Sequence, residues 1–113
     1  MIRLAREWSD TEITYRAPKP LVKEFGRKKL SRIIDYLISN LRGEIINEEK
    51  IYGFPRITVK KSIGDIEFTE EVDFIEPYAT LVYIYFKSLN DARKACIKVL
   101  KLLKPRQANI ISL

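Results

Sequence analysis

Three lysines near the end of the chain, Lys94, Lys98 and Lys101, recur at spacings of four and three, which on a helix sets them on one stripe with no acid between them. A row of ammonium groups can follow a phosphate backbone, with affinity that falls as salt rises. It can equally be a solvated helix face, although such faces usually mix signs. A second basic cluster, Arg27, Lys28, Lys29 and Arg32, follows Gly26. If a helix begins near Arg27, these cations sit where the dipole disfavours them by about 0.3 kcal/mol or more each, and where backbone N–H groups can bind phosphate. If the helix begins at Leu21 instead, the cluster is a solvated basic face.

A third constellation is Tyr83 and Tyr85, which alternate on a strand and point the same way. With Arg56, Lys60 or Lys87 beside them, the two rings would form a stacking platform for unpaired bases, at about 1–3 kcal/mol per base. The competing reading packs both rings under the terminal segments or against a twin subunit, with the hydroxyls at the rim.

Catalytic chemistry has little to work with. The chain has no histidine, which removes the commonest general base at neutral pH and the commonest metal ligand. Glu48-Glu49-Lys50 with Asp65 and Glu67 loosely imitates the carboxylates and lysine of a Mg²⁺-dependent nuclease, but such short patterns arise by chance in an acidic hairpin. The one cysteine, Cys96, falls on an apolar helix face and reads as a small core residue. The expectation is a binding protein and not an enzyme, with no catalytic residue, metal, cofactor or small-molecule substrate.

The elements that position these residues are marked by a change of period. From Thr80 to Lys87 the apolar residues alternate, with Val82, Ile84 and Phe86 on one face and Leu81, Tyr83 and Tyr85 on the other. Immediately after, Ala92, Ala95, Cys96, Val99, Leu100 and Leu103 repeat at helical spacing, with Ser88 or Asn90 as cap, Asp91 in the first turn and Pro105 as the expected stop. A longer helical pattern runs through Leu30, Ile33, Ile34, Leu37, Ile38 and Leu41, with Gly43 as the expected C-terminal cap. Gly26 interrupts it, which predicts a helix from about Arg27 and a separate short turn over Leu21 to Phe25. Between the helices, Glu44 to Tyr52, Arg56 to Ser62 and Ile66 to Phe74 read as strands, the last two joined by a turn at Gly64. Before them, residues 1–20 read as an extended arm holding a short edge strand, Glu12 to Arg16. At the other end, Gln107 to Leu113 is apolar enough to dock as a last strand or to meet another subunit.

The segment Val82 to Val99, VYIYFKSLNDARKACIKV, resembles the strand-to-helix tail of an RNA-recognition motif, in which an aromatic strand ending in Phe leads to a helix reading roughly S-x-x-D-A-x-K-A. Tyr83, Ile84 and Phe86 match the closing positions of the RNP1 pattern, and the resemblance implies that Tyr83 stacks on a base. It departs from the pattern at Leu81, Thr80 and Ala79, which stand where the family has an aromatic, a glycine and a basic residue. The order helix, strands, helix, with Arg93-Lys94 opening the last helix, is also similar to the double-stranded RNA-binding domain. What these resemblances imply is a ferredoxin-like or related sandwich that binds RNA.

A chain of 113 residues with 46% apolar residues suits a single α+β domain: an antiparallel sheet of four or more strands with two amphipathic helices packed on one face. No apolar run reaches the roughly 18 residues of a membrane span, and Met1 to Asp10 lacks the pattern of a signal peptide, so a cytoplasmic location and no membrane partner are expected. A charged fraction of 32% with a single glutamine leans toward a thermophilic source. The charges are segregated. Residues 16–32 and 87–106 each hold seven bases against one acid, whereas residues 65–76 hold six acids and no base. With a net charge of +6, this favours a polyanion, above all single-stranded nucleic acid, contacted by Arg27, Lys28, Lys29, Arg32, Arg56, Lys60, Lys87, Lys94, Lys98 and Lys101 and stacked by Tyr83 and Tyr85. The alternative is a structural subunit, such as a homodimer, with the second sheet face buried in the interface.

Overall fold

The computed structural model describes the backbone of residues 1–76 and 79–111 and the side chains of residues 1–75 and 80–103. It is an α+β fold with a six-stranded antiparallel sheet and three helices. In chain order these are β1 (Ile2–Trp8), β2 (Ile13–Arg16), α1 (Lys19–Phe25), α2 (Arg27–Ser39), β3 (Gly43–Ile51), β4 (Phe54–Ile63), β5 (Ile66–Glu76), β6 (Ala79–Phe86) and α3 (Leu89–Ile111). The strands lie in the order β2-β1-β6-β5-β4-β3. Two helices therefore carry the chain from one edge of the sheet, β2, to the other edge, β3, and a meander of hairpins brings it back to the centre at β6. This element order differs from the β-α-β-β-α-β order of a ferredoxin-like domain, because no helix separates β1 from β2.

The apolar residues on both faces of β6 fit its interior position, paired on one side to β1 and on the other to β5. Leu4, Ile84, Phe86 and Phe68 from the strands join Leu21, Leu30, Ile33, Ile34 and Leu37 from α1 and α2, and Ala92, Ala95, Cys96 and Val99 from α3, in one core. Each large side chain fully buried there contributes about 1.5–3 kcal/mol relative to leaving it in water. The small residues of α3 let that helix approach the sheet closely.

Several boundaries depart from the expected ones. Residues 1–20 do not form a free arm: β1 is an interior strand between β2 and β6, with Ala5 opposite Tyr83 on one side and Arg16 on the other. Gly43 does not cap a helix. Asn40 ends α2, its N–H bonded to Tyr36 O, and Gly43 opens β3. Pro105 does not stop α3, which continues to Ile111, so the tail up to that residue is helical and not a further strand. Proline removes one amide donor at about 3 kcal/mol, a local break that a helix already anchored by a long apolar stripe can bear. The last two residues of the chain lie outside the described ones.

Other expectations are met. Gly26, at φ +83°, separates α1 from α2, a backbone angle that side-chain-bearing residues rarely adopt. Ser88 caps α3, its Oγ accepting from Asp91 N at 3.1 Å. Gly64, at φ +60°, turns β4 into β5. The strand expected to run through Tyr52 ends instead at Ile51: Tyr52 and Gly53, both at positive φ, make the two-residue turn between β3 and β4.

Candidate nucleic-acid interface

Side chains alternate across a sheet, so the register fixes which residues share the face that carries Tyr83 and Tyr85. On β6 these two flank Ile84; Tyr83 stands opposite Ala5 of β1 and Glu71 of β5, and Tyr85 stands opposite Arg3 and Thr69. Both rings are half-buried, with centroids 6.1 Å apart and planes tilted by 45°. The Arg3 guanidinium carbon sits 4.7 Å from the centre of the Tyr83 ring and occupies part of its π surface. Burial, and after it the hydrogen bond to Glu71, raise the Tyr85 hydroxyl above its ordinary value of 10.0.

Two of the three cations expected to surround the rings, Arg56 and Lys60, are matched by acids. Arg56 grips Asp73 in a bidentate pair, Nε to Oδ1 at 2.5 Å and Nη2 to Oδ2 at 2.7 Å, with Glu71 Oε2 at 4.0 Å from Nη1. That hydrogen bond to Asp73 is the main reason why the Arg56 pKa lies above the ordinary guanidinium value. Lys60 Nζ lies 3.7 Å from Glu67 Oε2, an exposed pair worth at most about 1 kcal/mol. Lys87 is exposed just past the end of β6. The acidic run of β5 thus lies beside the basic run of β4, and this part of the face is close to charge-balanced.

The helices are different. Arg27, Lys28, Lys29 and Arg32 are all exposed on α2, which begins at Gly26 with no side-chain cap and no acid in its first turn. Lys94, Lys98 and Lys101 are exposed on α3, away from the buried Ala92, Ala95, Cys96 and Val99. Among the described residues none of these seven cations makes a salt bridge. The acids of the three helices are Glu24 on α1, Asp35 on α2 and Asp91 on α3. Glu24 accepts from Arg93 Nε with both oxygens at 2.8 Å, tying α1 to α3. Asp35 is taken by β1 and β2: Tyr15 Oη lies 2.8 Å from both of its oxygens, and Arg6 Nη1 lies 3.0 Å from Oδ1. Lys98 runs beside the β4–β5 turn, where a Cβ on Gly64 would come within 3.0 Å of its Cε and Nζ.

The carboxylates of the nuclease-like pattern do not converge. Glu49 stands opposite Arg56, and Glu67 stands opposite Ser62, six positions further along β4. At about 3.3 Å per residue that is roughly 20 Å, too far to share an ion. Among the described residues no group of three or more Cys, Asp or Glu could hold a metal ion. Nor is any described helix long and apolar enough to cross a membrane. Cys96 is fully buried, and burial pushes its thiol up to about 12, well away from a reactive thiolate.

Several polar residues that matter to the structure were not singled out in the sequence. Lys61 reaches from β4 to the end of α2, where Nζ donates to Leu37 O at 3.1 Å and Ile38 O at 2.8 Å, and it meets Glu70 Oε2 at 2.8 Å. Its signal was present: in the alternation of β4 it falls on the same side as Ile57, Val59 and Ile63. Arg3 had no such signal, since its contact with Tyr83 depends on β1 pairing with β6. Compared with known proteins, the chain matches no family model, no curated protein and no solved structure.

Proposed function

We propose that this protein binds nucleic acid through phosphate contacts made by its helices, with α2 and α3 packed over one face of the sheet and the tyrosine face turned the other way. The reading rests on one contrast. Arg56 and Lys60 beside the tyrosines are paired with acids, whereas among the described residues Lys28, Lys29, Arg32, Lys94, Lys98 and Lys101 stand exposed without a carboxylate partner. Cations that no internal acid neutralises are a source of counterion release when a polyanion binds. The protein acts as a binding module in this reading and carries out no reaction. A titration of labelled oligonucleotides at several salt concentrations tests it. The expected result is binding whose log K falls linearly with log salt. The reading fails if no oligonucleotide binds at low salt, or if binding is indifferent to salt.

A structural role in an oligomer is the second reading, favoured by the β3 edge. No residue of β3 is buried, and Ile45 and Ile46 stand 56% and 52% exposed on a nine-residue edge strand without proline. Light scattering across a concentration series tests this role, and a monomer at all concentrations would remove it.

A further inference from the structure

We infer that the nucleic acid bound is a duplex, held by cations of α2 and α3, and that the tyrosine face does not contact it. The inference rests on the proposed nucleic-acid binding and adds which form is bound and where. Lys94, Lys98 and Lys101 fall within about 60° of arc around α3 at 100° per residue, and the row spans roughly 10 Å along the axis at 1.5 Å per residue. On α2, Lys28, Lys29 and Arg32 fall within about 100° of arc on the side opposite the buried Leu30, Ile33, Ile34 and Leu37. The two helices pack against each other, and packed helices lie about 8–10 Å apart. One packed layer of helices therefore carries both rows.

A duplex offers two phosphate rows at a fixed separation and keeps its bases inside. A single strand offers one flexible row and, beyond charge, gains about 1–3 kcal/mol for each base stacked on an exposed ring. The described side chains of α2 and α3 include one aromatic, Tyr36, which is half-buried beside the core. The rings suited to stacking lie on β6, where both are half-buried and Arg3 already covers part of Tyr83. A single strand on that face would have to displace Arg3 and compete with Asp73 and Glu67 for Arg56 and Lys60. Two rows of charge with no ring between them match the backbone of a duplex and offer a single strand little beyond charge.

Anisotropy titrations with a labelled 20-mer, as a single strand and as the duplex of the same sequence, in DNA and in RNA, test the inference on the full chain. A duplex of at least one of the two chemistries is expected to bind ten-fold or more tightly than its single strand at equal salt. Replacing Lys94, Lys98 and Lys101 together by Gln is expected to weaken duplex binding ten-fold or more and to reduce the salt slope by about 2–3, at about 0.9 for each phosphate no longer neutralised. A Tyr83→Ala, Tyr85→Ala variant, shown to be folded by its circular dichroism, is expected to bind the duplex as the parent does. Tighter binding of single strands, or duplex binding abolished without the tyrosines and kept without the lysines, overturns the duplex inference and leaves nucleic-acid binding standing. Absence of binding to any of the four probes overturns both.

Discussion

Lys61 Nζ and Glu70 Oε2 meet at 2.8 Å between β4 and β5, at residues only 7% and 4% exposed, while the same ammonium group donates to the last carbonyls of α2. One cation thus satisfies a buried carboxylate and the negative end of a helix. Removing Lys61 alone strands Glu70 in the interior, so Lys61→Ala is expected to lower unfolding free energy by about 3–5 kcal/mol. Replacing the pair, as Lys61→Met with Glu70→Leu, is expected to cost far less, since it leaves no buried charge, although the α2 carbonyls then lose their donor. Urea denaturation of parent, single and double variants measures this; equal losses in the two variants would contradict it.

The pH dependence of the same pair has a defined sign. Burial, outweighing the attraction of Lys61, raises the Glu70 carboxyl above its ordinary 4.5. A carboxyl raised in the folded state contributes stability that is fully present below the unfolded value and is lost as pH rises through the folded value. Parent protein and Glu70→Gln should therefore differ in the slope of stability against pH just above pH 4.5, the parent losing this contribution as pH increases. Parallel curves across that range would refute it.

Tyr15 and Asp35 join β2 to α2 through a phenol that donates to a carboxylate, and burial first, then that hydrogen bond, raise the phenol above 10.0. The contribution is present below pH 10 and lost as pH rises through the higher folded value, where a phenolate would face a carboxylate. Tyr15→Phe is expected to cost about 1.5 kcal/mol at neutral pH and to remove the alkaline loss associated with this residue. Thermal melts of both proteins from pH 8 to 11 check it: the gap between them should narrow as pH rises.

The sequence made much of this fold legible, and the limits of that reading are physical. β6 and α3 were legible because their apolar periods, two and then 3.6, are set by neighbouring residues alone. The break at Gly26 and the turn at Gly64 were legible because their conformations belong to glycine. β1 was missed because Arg6 interrupts its alternation, and that charge is tolerable only beside Asp35, 29 positions away. The basic rows of the helices could be read, since spacing on a helix is local. The pairing of Arg56 with Asp73 could not, because it depends on which residue of β5 lies opposite which residue of β4. The tyrosine platform looked more basic in the sequence than it is in the folded chain for that reason.

Cys96 offers a direct probe of how tightly α3 is held. With the thiol fully buried and its pKa pushed up to about 12, the native protein should not react with a disulfide reagent at pH 8 on the time scale of minutes, and should react fully in denaturant. Fast labelling of the folded protein would mean that α3 leaves the core more readily than its packing indicates. The rate in water divided by that of the unfolded chain gives the equilibrium constant for opening of this helix, and its logarithm the opening free energy.

Gly43 shows how a single missing carbon sets the approach of β3 to β4. A Cβ at this position would overlap Val59 Cγ1, stand 2.8 Å from Lys61 Cγ and lie 3.1 Å from Lys60 O. Val59 is β-branched and cannot swing aside freely, and Lys61 is anchored at its far end by three hydrogen bonds. Gly43→Ala is therefore expected to cost about 1–3 kcal/mol through overpacking. The steric origin can be separated from a change in backbone preference by shortening the neighbour. Val59→Ala removes the overlapping methyl, so in the double variant the Gly43→Ala penalty should shrink, giving a favourable coupling of about 1 kcal/mol in a double-mutant cycle. Strictly additive penalties, measured by urea denaturation, would place the cost in the backbone and not in the contact with Val59.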